Sequence, residues 1–234
     1  MKTGKIPGVS RPVPRLILDC ADAPALADAL RAGVGAVLLP ADLPLPDAPE
    51  PGPVVLRRGG EHPLPADVTL WREDPPARGV YGGEDWSVPQ LLEITERAVD
   101  SGAAEPAAIL IQYGLLEPVH ASGLASLSGW PRVEDRKFYS GCFLPVLCKL
   151  PFGQAGPAFD SAYNRQRAER AERMAQFKGA PVEAVYAAFL MGQSLNTFVV
   201  ADTLAGYQRA VAGLELPLAG DELFHLDLGE QVVG

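Results

Sequence analysis

The sequence predicts an α/β fold: a single-domain (β/α)8 barrel spanning residues 1–234. Three observations predict it. Eight short runs of Val, Ile and Leu recur along the chain with little polar alternation, the pattern of parallel strands buried on both faces. Segments of helical periodicity separate several of them. The 234 residues, 47% of them hydrophobic, suffice for one sizeable core.

The first strand is RLILDC (15–20). The helix PALADALRAG (24–33) follows, with Leu26, Ala29 and Leu30 on one side and Gly33 as its stop. The second, third and fourth strands are GAVLLP (35–40), PVVLRR (53–58) and DVTLWR (67–72), and RGVYGG (78–83) is the fifth. SVPQLLEITERAVDSG (87–102) opens with a Ser87-to-Gln90 capping box, carries Val88, Leu91, Leu92, Ala98 and Val99 at helical spacing, and stops at Gly102. AAILIQYG (107–114) is the sixth strand and LPVLCK (144–149) the seventh, which starts after Pro145 because proline cannot donate to a sheet ladder. DSAYNRQRAERAERMAQFKG (160–179) is a charged helix with a narrow stripe through Tyr163, Ala171 and Met174. PVEAVYAAFLM (181–191) is a more buried helix with proline in its first turn. The eighth strand is TFVVAD (197–202), and the helix after it starts at an Asp cap and puts Leu204, Tyr207, Val211 and Leu214 on one face.

The connections after strands two, three and four are short and rich in proline, and none has room for an ordinary outer helix. A parallel sheet needs both faces covered. This flank is therefore expected to be covered either by its own loops or by another chain, a homo-oligomer or a protein partner over strands two to four.

The net charge of −9 argues against nucleic acid and anionic membrane as partners. The beginning, MKTGKIPGVSRPVPRL, has no apolar h-region, and the longest apolar run, AVYAAFLM, is far short of the roughly 20 residues of a membrane helix. A cytoplasmic location is expected. Cys142 and Cys148 lie about 20 Å apart if their run is extended, beyond disulfide reach, and no Cys/His spacing suggests zinc, so buried reduced thiols are expected for the three cysteines.

From about residue 78 to 228 the chain resembles the aldo-keto reductase family. The resemblance rests on ordered segments: RGVYGGEDWSVPQLLEI is similar to the fifth strand and its helix, and EPAAILIQYGLLEP to the sixth strand, with the Tyr-x-Leu-Leu of Tyr113 to Leu116. LPVLCKLPFGQAG resembles the seventh strand, and the passage from APVEAV to FHLD follows the family's closing helix, eighth strand, helix and tail. Nearer the beginning, PGVSRPVPRLIL is similar to the opening hairpin and first strand. The resemblance implies a barrel of aldo-keto reductase type, here with the outer helices after strands two to four reduced to loops.

It also implies carbonyl reduction with NADPH or NADH by a tetrad of Asp, Tyr, Lys and His, in which tyrosine is the acid that the developing alkoxide needs. Carried over position by position, that tetrad is missing. The second strand ends in Leu38, Leu39 and Pro40, with Asp42 late; no tyrosine precedes Tyr81. Arg57 or Arg58 stands at the lysine, and Trp71 at the histidine. Arginine keeps its proton and does not replace a tunable lysine. On the cofactor side, Tyr81 and Gly82 stand at the Ser-Asn pair, Leu110 at the glutamine, and Lys149 at the aromatic that stacks on nicotinamide. NADP is thus the cofactor implied, while the altered positions point to none.

Barrel sites form at the carboxyl ends of strands. That rule nominates Lys149 and Arg57 as catalytic candidates, and Trp71, Asp19, Arg58, Arg72 and Tyr113 as substrate-binding ones. Lys149, beside Leu150, Pro151 and Phe152, is either a base or amine nucleophile or the partner of a nearby carboxylate. Trp71 either plugs the barrel or walls a pocket, and Arg58, Arg72, Glu73 and Asp74 either form part of the site or a solvated rim. His62, His120 and His225 are expected at the surface. The expected ligand is a small anionic or carbonyl-bearing metabolite, handled without tetrad hydride transfer. The alternatives are a non-catalytic partner-binding protein and an ordinary NAD(P)H-dependent carbonyl reductase.

Overall fold

The computed structural model describes residues 2–6, 9, 11–40, 42–45, 52–57, 80–83, 108–112, 114–116, 146–149, 162–192 and 197–227. The chain begins with a two-stranded antiparallel ribbon, β1 (Thr3–Gly4) and β2 (Val13–Pro14), pairing Thr3 with Pro14 and Gly4 with Val13. Seven parallel strands follow: β3 (Leu16–Asp19), β4 (Ala36–Leu39), β5 (Val54–Arg57), β6 (Val80–Gly83), β7 (Ala108–Gln112), β8 (Val146–Lys149) and β9 (Thr197–Ala201). Their order in the sheet is β5-β4-β3-β9-β8-β7-β6, every pair parallel. They are the first three and last four expected barrel strands, with first beside eighth. The fourth (67–72) and the helix expected over 87–102 lie outside the described residues.

Among the described residues five helices accompany them: α1 (Ala23–Arg31), α2 (Ala162–Lys178), α3 (Val182–Gly192), α4 (Leu204–Ala210) and α5 (Gly220–Asp227), with a 3-10 turn over Val211–Leu214. The Asp22 side chain caps α1 by accepting from the Ala25 amide at 2.9 Å. Gly33 (φ 68°) and Gly179 (φ 63°) follow α1 and α2 in the left-handed conformation, where a Cβ is strained.

Two apolar clusters define the inside and the outside of the strand layer. One consists of alternate strand residues, Ile17, Leu38, Leu56, Leu110, Leu147, Phe198 and Val200 among them, joined by Ile6 and by Val13 of the ribbon and, among the described residues, by no helix residue. This is the barrel interior. The other takes the opposite strand residues, including Leu16, Leu18, Val37, Leu39, Val55, Cys148 and Val199, and packs them on Leu26 and Ala29 of α1, Ala187 and Leu190 of α3, and Tyr207 and Ala210 of α4. A third cluster joins Ala171, Val185, Phe189 and Leu226 of α2, α3 and α5.

Loop cover is what the structure shows over β4 and β5. Val37, Leu39 and Val55 are buried in the outer cluster, and Leu43 and Leu45 from the following connection pack against it. Cys20 and Cys148 are buried and in no disulfide, as expected, and burial pushes the Cys20 thiol up to about 12. His225 is exposed. No helix among the described residues is long and apolar enough to cross a membrane.

Candidate active site

Side chains alternate across a strand, so the last residue of each strand points either into the barrel mouth or out toward the helices. Asp19 stands two residues after Ile17, and Lys149 two after Leu147; both predecessors belong to the interior cluster. The two side chains meet at the carboxyl end of the barrel, where Lys149 Nζ lies 3.2 Å from Asp19 Oδ2. With 17% of the lysine and 7% of the aspartate side chain exposed, the pair is mostly withdrawn from water. Backbone register sets Lys149 opposite Gln112 of β7 on one side and Val200 of β9 on the other.

Asp202 completes the cluster and was missed from the sequence, where it read as the cap of the last barrel helix. The cap is Thr203 instead: its Oγ1 accepts from the Gly206 amide at 3.1 Å. Asp202 follows Val200 on the interior parity, one position beyond the pairing of Leu18 with Ala201, which sets it level with Asp19. Its signal was visible as the second residue after Val200 in TFVVAD, had strand parity been carried one step past the strand end. Partial burial raises the Asp202 carboxyl above its ordinary value and Asp19 adds to the rise, while Lys149 and hydrogen bonding, including that from Thr203, oppose it.

Arg57 goes the other way. It follows Val55 on the outer parity, and its Nη1 donates to the carbonyl oxygens of Pro40 at 2.8 Å and Leu43 at 2.5 Å. These two bonds tie its guanidinium to the connection after β4. The reason is strand parity: Leu56 takes the interior position. Trp71, Arg58, Arg72 and Tyr113 lie outside the described residues. Among the described residues no group of His, Cys, Asp and Glu is arranged to hold a metal ion.

Among the described residues the mouth therefore brings together the Lys149 ammonium, the Asp19 carboxylate paired with it and the Asp202 carboxylate nearby. An ammonium has three N–H donors, and the carboxylates only accept until protonated. Such a set can orient a carbonyl oxygen and move a proton.

No family model matches the chain, and no curated protein matches it in sequence. Solved structures match it in fold. A thermostable aldo-keto reductase, determined with the inhibitor epalrestat, is similar at a TM-score of 0.60 and 10% identity over 97% of this chain and 99% of that one. An aldo-keto reductase of the silkworm Bombyx mori gives 0.63 and 12% over 97% of this chain and 86% of that one. An aldo/keto reductase from Brucella melitensis gives 0.57 and 9% over 97% of each. The chain has the (β/α)8 barrel fold of the aldo-keto reductases.

Proposed function

We propose that the carboxyl end of the barrel, where β3, β8 and β9 terminate, binds and acts on a small carbonyl-bearing or anionic metabolite without tetrad hydride transfer. The observation that carries this is the Lys149–Asp19 pair, 3.2 Å apart on interior positions at the site-forming end of the fold. Withdrawing two charges from water costs about as much as their attraction returns, so a pair there adds little stability. Its use is to hold a donor in place. Lys149 stands among two carboxylates, Asp19 and Asp202.

NADP(H), the cofactor that the fold brings to mind, does not suit these residues. Nicotinamide stacking wants a flat face on the seventh barrel strand, where Lys149 stands in its ion pair. A phosphate at a helix start wants open amides. At α4 the Gly206 amide is taken by Thr203, and Asp202 adds a negative charge alongside. The reading is accordingly of a protein that works without nicotinamide.

Two measurements test it. Calorimetric titration with millimolar NADPH is expected to show no binding; saturable heat would return the ordinary reductase reading. Saturation-transfer NMR with small hydroxycarbonyl compounds is expected to show binding that Lys149→Met weakens about tenfold, the cost of one charge-assisted hydrogen bond. Equal binding by both proteins would remove Lys149 from the site.

A further inference from the structure

Resting on that binding reading, we infer that Asp202 is the proton-transfer base of the mouth, and that the reaction class is proton abstraction from the carbon beside a carbonyl. Three features lead there. Thr203 supplies the cap of α4, which spares the neighbouring carboxylate that duty. Register and parity set Asp202 level with Asp19 on the mouth side of the last strand, yet Asp202 is an exposed residue that a ligand can reach. Lys149, fixed by Asp19 at 3.2 Å, lies close enough for its charge to act on Asp202.

A base and an oriented cation are the two parts this chemistry requires. In the step, the C–H bond next to the carbonyl breaks and its proton goes to a carboxylate oxygen of Asp202. The C–H electron pair becomes the C=C bond, and the carbonyl π pair moves onto oxygen. The Lys149 ammonium donates a hydrogen bond to that oxygen as negative charge builds there. Return of the proton to the same carbon exchanges hydrogen; return to the neighbouring carbon, with transfer between the oxygens, isomerises a hydroxycarbonyl compound. No oxidant or reductant enters. Among the described residues the charged groups facing Asp202 are Asp19 and Lys149, with the Thr203 hydroxyl as donor. Partial burial and Asp19 lift the Asp202 carboxyl, and a more basic carboxylate is a better match for a carbon acid.

The test uses the full chain with hydroxyacetone and dihydroxyacetone as probes in deuterated water, read by proton NMR. The expected result is exchange next to the carbonyl at least ~100-fold faster than in buffer, the typical range of general-base catalysis. Asp202→Asn is expected to lose that gain while saturation-transfer binding of the probes stays within a few-fold. Asp19→Asn should move the base limb of the pH profile to lower pH and Lys149→Met to higher pH, because the first removes a negative neighbour and the second a positive one. Probes that bind but exchange at the buffer rate overturn the inference and leave the binding reading standing. Exchange unchanged by Asp202→Asn overturns the assignment of the base. Failure of both probes to bind overturns the binding reading itself.

Discussion

Arg57 and Lys149 both end barrel strands, and a single step of strand parity sends one to the outer face and the other to the mouth. Arg57 works as a clasp: two carbonyl oxygens of the β4–β5 connection share its Nη1. Arg57→Ala should cost about 1–2 kcal/mol in urea unfolding, as hydrogen bonds from a charged, part-buried donor do. Probe binding at the mouth should be unaffected. Asp202 makes the opposite kind of contribution. Its carboxyl is held above the ordinary 3.8, chiefly by partial burial, so the folded chain keeps that proton to higher pH than the unfolded one. The stability so contributed is whole below 3.8 and is lost as pH rises through the folded value. Asp202→Asn should therefore match the wild type near the acid end and exceed it in thermal midpoint at pH 7. A midpoint difference that shrinks as pH rises would contradict the sign. A residue that costs stability at neutral pH is the kind that function retains.

Among the elements, helix positions were legible wherever burial followed the 3.6-residue period. Leu26 and Ala29 of α1 are buried as expected, with Leu30 partly buried beside them. The face expected over 202–214 holds for Tyr207 and Leu214 but not for Val211, which is 39% exposed. The chain tightens there into a 3-10 turn, whose period of three rotates the stripe away. The tight passage also brings Gly213 against the Ala184 carbonyl of α3. Gly213→Ala would drive a methyl into that backbone, and an unfolding free energy lower by ~1–3 kcal/mol in urea titration is expected, typical of overpacking. Helix α5 was not anticipated as a helix. Its start carries a legible sign all the same: Glu222 at the third helical position accepts from the Ala219 amide at 2.8 Å, half of a capping box. Lys178 of α2 grips the same carboxylate at 2.7 Å, and Leu226 is buried against the α2–α3 pair.

At the scale of the whole molecule, the two ends of the barrel divide the work. The amino end is closed around Phe198, fully buried between the ribbon and the interior. Arg15 stacks over its ring at 4.8 Å and donates to the Thr197 carbonyl at 2.6 Å. Gly4 passes so near that a Cβ would press on both side chains. Phe198→Ala should remove about 3–5 kcal/mol of stability, the usual result of emptying a large aromatic site, while the mouth residues keep their places. Denaturant unfolding measures the first, and probe binding by the refolded variant checks the second. The carboxyl end carries the Lys149–Asp19–Asp202 cluster, 9–12% sequence identity notwithstanding the shared fold. Fold likeness at that identity is a statement about architecture, and the chemistry must be argued from the residues at the mouth.

The sequence by itself determined the barrel: non-alternating apolar strands must be buried on both faces, and amphipathic helices must cover them. It also determined that the barrel's end residues would include a lysine where a flat ring is expected, and that Asp19 and Lys149 end strands. Tertiary structure decided which of these meet. Pairing of β3 with β9, and of β9 with β8, brings residues 19, 149 and 202 together from positions far apart in the chain, which no local pattern encodes. Parity turns Arg57 to the outer face of its strand, and the Thr203 cap leaves Asp202 to join Asp19 and Lys149.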